Sequence, residues 1–326
     1  MNVRRTILLI ALSGCLGLAS PAAATFPGAP GVLAFSAQTS ATSPAPVVLW
    51  RLNPKNGRVR QLTRPLLGCR ARDEWSDSSP DFSPNGRVLA FFHVDECPGW
   101  KRRVGIWSMR PDGARLRRVI ALRFTDYFEP MFSPDGRRIA LFDGTSDPEL
   151  NIFRVRDGDL LDRLPVYSVG VGGDWNVRGR FAFVSTSGRD ALDRIHVFVP
   201  PAGPTKQWSQ TGLYAFDWYP DWSPTGRSIV FLRAASLGDS ERLRLRYDLW
   251  LVSDPREAAR RLTRVRRTRP VFSPTGRTIA FATPDGIASV STRGGRPRRL
   301  LRWRTPVNEI AWQPRSQRRD PVATAR

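Results

Sequence analysis

WSPTGRSIVFL, residues Trp222–Leu232, is one copy of a unit that recurs along this chain. Clear copies are PDFSPNGRVLAFF from Pro80, PMFSPDGRRIALF from Pro130, YPDWSPTGRSIVFL from Tyr219 and RPVFSPTGRTIAFA from Arg269. GDWNVRGRFAFV from Gly173 and EIAWQPRS from Glu309 are worn copies. In the clear copies Ser-Pro-x-Gly lies between two short apolar runs. Proline presets φ at the second turn position, glycine takes the left-handed place of a bulged hairpin, and the serine hydroxyl can bond back onto the turn. The unit is strand, turn, strand.

Ser83, Ser133, Asn176, Ser223, Ser273 and Gln313 hold the serine place, at intervals of 50, 43, 47, 50 and 40 residues. That is the period of propeller blades. A third apolar alternation follows each of five second strands, as VVLWRL from Val47, VGIWSM from Val104, LNIFRV from Leu150, IHVFV from Ile195 and YDLWLV from Tyr247. Fourth segments such as RVRQLTR from Arg58, ARRLTR from Ala259 and RPRRLL from Arg296 come after a further turn. Four antiparallel strands per period leave no room for helices, so the fold class is all-β, a six-bladed β-propeller of four-stranded blades. The last marker has no second strand after it, whereas GVLAFSA from Gly31 is a second strand without a first. Pairing of 32–37 with 308–313 would close the first blade and remove its open edges.

These repeats resemble those of the TolB-like propellers, whose unit is close to W-S-P-D-G-x-x-I-A-F followed by R-L-T. The resemblance covers nearly all of the chain after its leader; Gly173–Val184 lacks the proline, and the last copy keeps Trp312 and Pro314 without the glycine. It implies a place in the bacterial envelope and a binding role, since the propeller of that family docks a peptidoglycan-associated lipoprotein. The α/β domain that TolB carries ahead of its propeller is not expected here.

Three segments are expected: 1–24 as a secretion signal, 25–313 as the propeller and 314–326 as a basic disordered tail. Arg4 and Arg5, then apolar 7–19, then small residues before Thr25 fit a leader cleaved by signal peptidase. The apolar run is shorter than the roughly 20 residues of a membrane span. Leu12-Ser13-Gly14-Cys15 also fits a lipoprotein box, and Cys15 would then be lipidated, the one case in which membrane association is expected. Either route exports the protein to the periplasm, the envelope or the exterior.

The formal charge of +22 carries only three lysines, Lys55, Lys101 and Lys206, among 51 basic residues. The arginines fall largely on fourth strands, as in ARRLTRVRRTR (Ala259–Arg269, with Arg266 and Arg267) and RPRRLLRWR (Arg296–Arg304), which form the outer rim, where a solvated surface competes with attraction to an anionic envelope polymer or membrane surface. Nucleic acid is not expected, because export separates the chain from it and no recognition motif accompanies the charge. Cys69 and Cys97 lie in connections that leave one propeller face, so a disulfide between them is expected in an exported protein, with two free, buried thiols as the alternative.

His93 and His196 have no metal-ligand spacing, and no G-x-S-x-G, H-E-x-x-H or P-loop occurs. No cofactor is expected. Trp175, Trp222 and Trp312 stand at repeat positions and are expected between blades, whereas Trp75, Trp100 and Trp218 read as residues of connections. Acidic residues gather in the segments leading into first strands: Asp77, Glu129, Asp217 and Glu309 among them. These segments ring the channel mouth, which makes Trp75, Asp77, Trp100, Glu129, Asp217, Trp218 and Glu309 the candidate contacts of a protein or envelope-polymer partner of a monomeric protein. Loops that are polar merely because they face water are the plain alternative. A lyase or hydrolase using mouth carboxylates, with or without a metal, is the other; a Ca²⁺ ring is weakened by the absence of Ca²⁺-binding spacing and by Arg269 in the ring.

Overall fold

In the computed structural model the residues described are 26–41, 45–65, 74–96, 101–122, 127–143, 149–165, 172–186, 192–200, 205–210, 215–236 and 245–315, with 74, 127, 128, 143 and 165 described by backbone alone. The leader, Cys15, Cys69, Cys97 and Trp100 lie outside them. The turn chemistry forms as the residues dictate. The Ser83 hydroxyl accepts the Val88 N–H at 3.0 Å, and Ser133 and Ser223 do the same for Arg138 and Ser228. In the copy without Ser-Pro, Asn176 Oδ1 takes over and accepts the N–H groups of Arg178 and Arg180 at 2.8 and 3.0 Å.

Each hairpin seeds a blade. Blade one holds β1 (Ala29–Gln38), β2 (Val47–Leu52) and β3 (Val59–Gln61); blade two holds β4 (Glu74–Phe82), β5 (Leu89–Glu96), β6 (Arg103–Met109) and β7 (Arg117–Leu122). Blade three is β8 (Tyr127–Phe132), β9 (Arg138–Asp143), β10 (Glu149–Arg154) and β11 (Leu160–Pro165). Blade four is β12 (Gly173–Trp175), β13 (Phe181–Ser185), β14 (Arg194–Phe198) and β15 (Lys206–Gln207). Blade five is β16 (Ala215–Trp222), β17 (Ile229–Ser236), β18 (Leu245–Val252) and β19 (Arg260–Val265). Blade six is β20 (Val271–Phe272), β21 (Thr278–Thr283), β22 (Gly286–Ser291) and β23 (Arg298–Arg302), and β24 (Val307–Arg315) returns to blade one.

Neighbouring strands within each blade are antiparallel, and the described residues contain no helix. β24 pairs with β1, setting Leu33 opposite Trp312, Ala34 opposite Ala311 and Phe35 opposite Ile310. The ring closes as the sequence predicts, although β24 continues through Pro314 and Arg315, beyond 313. A single parallel bridge, Val47 to Ser76, links blades one and two.

The repeated tryptophans pack between blades. Trp222 is fully buried against the edge of Trp208 from blade four, with ring centroids 5.0 Å apart. Trp312 joins Ala280 and Ile287 of blade six, and Trp175 joins Met131 and Phe142 of blade three. On the hairpin face the turns lock against one another. A Cβ on Gly86 would lie 1.7 Å from the Pro314 carbonyl oxygen, and one on Gly136 would lie 3.2 Å from Pro84. Uniform turns are therefore a condition of the close ring, since a bulkier turn would push its neighbour away.

Candidate functional site

In blades two, three and five the first strand carries a bulge. Register shifts fall between Ser78 and Asp81, Phe128 and Met131, and Trp218 and Asp221. Ser79, Glu129 and Tyr219 sit inside these bulges in the left-handed region, with φ of 50°, 48° and 54°. Each is followed by proline. Such residues cost about 1–3 kcal/mol and persist only where surrounding structure holds them.

The equivalent residues of the other blades are Gly172, Arg269 and Glu309, and contacts across the axis show that the six form one ring. The Arg269 guanidinium pairs with Glu129 at 2.6 Å. Glu309 accepts the Ser36 hydroxyl in a short bond and lies 3.4 Å from the Ser79 N–H. A Cβ on Gly172 would lie 3.2 Å from the Tyr219 ring and 3.4 Å from Glu129 Oε2. Glu129 and Glu309 thus both border this ring, and Arg269 supplies its positive charge.

A second ring lies deeper. Asp81 Oδ2 accepts the Phe132 N–H at 2.8 Å, Asp174 Oδ2 the Trp222 N–H at 2.7 Å and Asp221 Oδ2 the Phe272 N–H at 2.7 Å. Each bond ties one blade to the next. These three aspartates, Arg269 and the buried Phe26 line a cavity of about 40 Å³, enough for a few waters. Burial pushes the Asp81 carboxyl up to about 7 against the Phe132 N–H and Arg269. Burial and the nearby Asp221 hold Asp174 well above the usual carboxylate range, and burial also raises Glu309. Burial opposes the Arg269 charge, but Glu129 and the aspartates outweigh it and keep it protonated. The latch aspartates were legible as a pattern: PDF, GDW and PDW recur directly before the turn.

Trp75 and Asp77 differ from the sequence expectation of mouth contacts in a connection. Strand β4 runs back past the bulge to Glu74, so both are strand residues and buried, Trp75 8% and Asp77 1% exposed. Trp75 Nε1 donates to Asp77 Oδ2 at 3.1 Å, and His93 Nδ1 lies 2.6 Å from Asp77 Oδ1. His93 Nε2 lies 3.2 Å from Asp95, which accepts both sides of the Arg103 guanidinium. The imidazole is held between the rings of Trp75 and Trp107 at 4.9 and 5.0 Å. Burial raises the Asp95 carboxyl, but hydrogen bonds from Arg103 and His93 outweigh it, leaving the group below its ordinary value.

Asp217 occupies the same place in blade five and is also buried. Arg233 grips it with Nε at 2.7 Å and Nη2 at 2.9 Å, and stacks 4.6 Å above Trp250. Burial nevertheless holds Asp217 above the ordinary range despite these bonds.

Trp218 is different again. It lies in β16, is only partly buried, stacks on Phe216 at 5.9 Å and donates from Nε1 to Asp193 at 2.5 Å. The Arg267 guanidinium sits 5.3 Å over its ring and also donates to the Tyr219 hydroxyl at 3.3 Å. Arg267, which the sequence assigns to the Arg-rich rim, therefore belongs to the mouth. Of the candidate contacts, Glu129, Glu309 and Trp218 face the channel or its lip, while Trp75, Asp77 and Asp217 brace its wall. Among the described residues no three acids, histidines or cysteines are disposed to hold a metal ion.

Solved structures share this architecture. The chain is similar to TolB from Acinetobacter baumannii at a TM-score of 0.69, with 19% identity over 87% of this chain and 67% of that one. It is similar to a chain of the nidogen/laminin complex at 0.62, with 11% identity over 88% of this chain and 100% of that one. An oligogalacturonate lyase in complex with manganese matches at 0.50, with 12% identity over 83% and 78%. No family model matches the sequence. The fold is that of a TolB-like propeller.

Proposed function

We propose that this chain is an exported, non-catalytic propeller that binds a protein or cell-envelope ligand at its channel mouth. The observation that carries the reading is the cluster of Phe216, Trp218, Tyr219 and Arg267 at the lip, beside the Glu129–Arg269 pair. Partly exposed aromatics backed by a guanidinium are the usual anchors of protein recognition. The fold similarity to TolB and to a chain of a nidogen/laminin complex supports a binding role. Export rests on the leader, and the propeller acts as a monomer.

The lyase or hydrolase reading draws on the likeness to a lyase and on the channel carboxylates. Those carboxylates are engaged within the protein: Asp81, Asp174 and Asp221 by backbone N–H groups, Glu129 by Arg269 and Glu309 by Ser36. This favours binding over acid–base work. The test is a photo-crosslinker placed at Tyr219 in the native envelope, with a second at Arg298 on the outer strand as reference. One discrete adduct from Tyr219 that disappears in the Trp218→Ala protein is expected. Adducts from Arg298 alone would move the site to the outer wall.

A further inference from the structure

The face opposite the mouth carries two clefts between hairpins, and they differ in charge. Near blades two and three, a cleft lined by Arg117, Arg137, Arg138, Arg154 and Arg156 is neutralised at three of its five arginines: Arg154 lies 2.9 Å from Asp157 and 3.1 Å from Asp159, Arg156 lies 3.1 Å from Asp157, and Arg138 lies 3.6 Å from Asp135. Between blades four and five, a cleft of about 470 Å³ is lined by Arg178, Arg180, Lys206, Arg227 and Arg256. None of these five pairs with a carboxylate among the described residues. The one acid in the lining, Asp254, directs Oδ1 to the Arg256 backbone N–H at 2.8 Å.

Four cations of this cleft, all but Arg180, are exposed, and they come from four separate turns or strand ends: Arg178 from the β12–β13 turn, Arg227 from the β16–β17 turn, Arg256 from the β18–β19 turn and Lys206 from β15. Holding like charges together without counter-charges costs energy unless an anion shares the space. Guanidinium groups match phosphate oxygens two bonds at a time. We infer that this cleft is a binding site for a linear phosphate-bearing polymer, laid across blades four and five. Its concave shape suits a chain segment, whereas a flat bilayer would touch only the rim. Its aromatic residues, Phe198 and Trp208, are buried, and the exposed apolar residue is Val199 at 50%. A nucleic-acid strand would have no ring on which to stack its bases.

The probe is a short linear polyphosphate, titrated by fluorescence anisotropy at moderate salt. One variant carries Arg178→Gln, Arg227→Gln and Arg256→Gln. Its control removes the same charge from the outer edge of blade six through Arg296→Gln, Arg298→Gln and Arg302→Gln, all on exposed positions. The cleft variant should lose roughly tenfold in affinity, about 1.4 kcal/mol, while the control changes by less than about twofold. Parallel titrations use a single-stranded oligonucleotide and phosphatidylglycerol vesicles. Equal loss in both variants, no binding of polyphosphate, or tighter binding of vesicles or oligonucleotide than of polyphosphate would overturn the inference. Circular dichroism melts of both variants keep a folding defect from passing as lost affinity.

Discussion

Blades two and five place an aspartate at the same point of the first strand, Asp77 and Asp217, and give it different partners. Cross-strand register sets Asp77 opposite His93 and Gly105, and Asp217 opposite Arg233 and Asp248. Blade two lacks the third-strand carboxylate and supplies a second one from Asp95, on the same strand as its histidine. Blade five keeps Asp248, gripped by Arg246 at 2.9 Å and Arg261 at 3.0 Å. A guanidinium cannot shed its charge, whereas an imidazole can. The same geometry therefore holds a permanent guanidinium in one blade and an imidazole in the other.

The largest expected effect breaks the guanidinium pair. Asp217→Ala leaves Arg233 charged and mostly buried, and should destabilise the protein by about 3–5 kcal/mol in urea unfolding. Asp77→Ala should cost less, about 1–3 kcal/mol, because it removes the hydrogen-bond partners of His93 Nδ1 and Trp75 Nε1 and leaves no guanidinium without its counter-charge. Equal losses would show that packing, and not the nature of the partner, sets the cost. Replacing the whole pair, Asp217→Leu with Arg233→Met, should recover most of the loss, since apolar substitutes for buried ion pairs are often neutral or better.

The next effect separates wall from lip. Trp218→Ala should weaken partner binding by about 2 kcal/mol with little change in unfolding midpoint. Trp75→Ala should instead destabilise the fold by about 3–5 kcal/mol. Binding lost by Trp75→Ala at full occupancy of the folded state would return Trp75 to the contact surface.

The smallest effect is in pH. Asp95 lies below its unfolded value, so its contribution is present above the ordinary carboxylate range and is lost as pH falls through the folded value. Asp217 lies above, so its contribution is present below that range and is lost as pH rises through the folded value. Stability differences for Asp95→Asn and Asp217→Asn, measured against the parent from acid to neutral pH, should therefore slope in opposite directions. A tenfold difference in proton affinity between the folded and unfolded chain is worth about 1.4 kcal/mol. Parallel slopes would refute the contrast.

The architecture was legible because five of the six blades repeat the turn, and the turn chemistry survives even where Asn176 replaces serine. The length of the first strands was not. Counting outward from Ser83, Pro80 reads as a strand start, and Trp75 and Asp77 fall in a connection. A left-handed Ser79, Glu129 or Tyr219 ahead of proline has no sequence signature, yet it lets the strand continue past the proline. Arg267 was misplaced for a related reason: fourth strand β19 ends at Val265, so the last arginines of that basic run turn over the mouth. The acidic ring was visible as residues but not as two levels, because the distinction depends on which residue the bulge turns inward.

The pairing of β24 with β1 also bears on biosynthesis. Ala37 meets Val307 only after all of the chain between them has been made. Until then the early blades form an arc with two bare edges, one of them exposing Leu33 and Phe35, which the finished ring buries completely. Loop closure over such a length adds little free energy beyond that of a shorter loop, but contacts between distant residues form slowly. An arc that waits with unpaired strands is open to association with other chains. Ribosomal stalling or proteolytic trimming ahead of Val307 would make that waiting state permanent, so β24 decides whether the early strands stay free of such association.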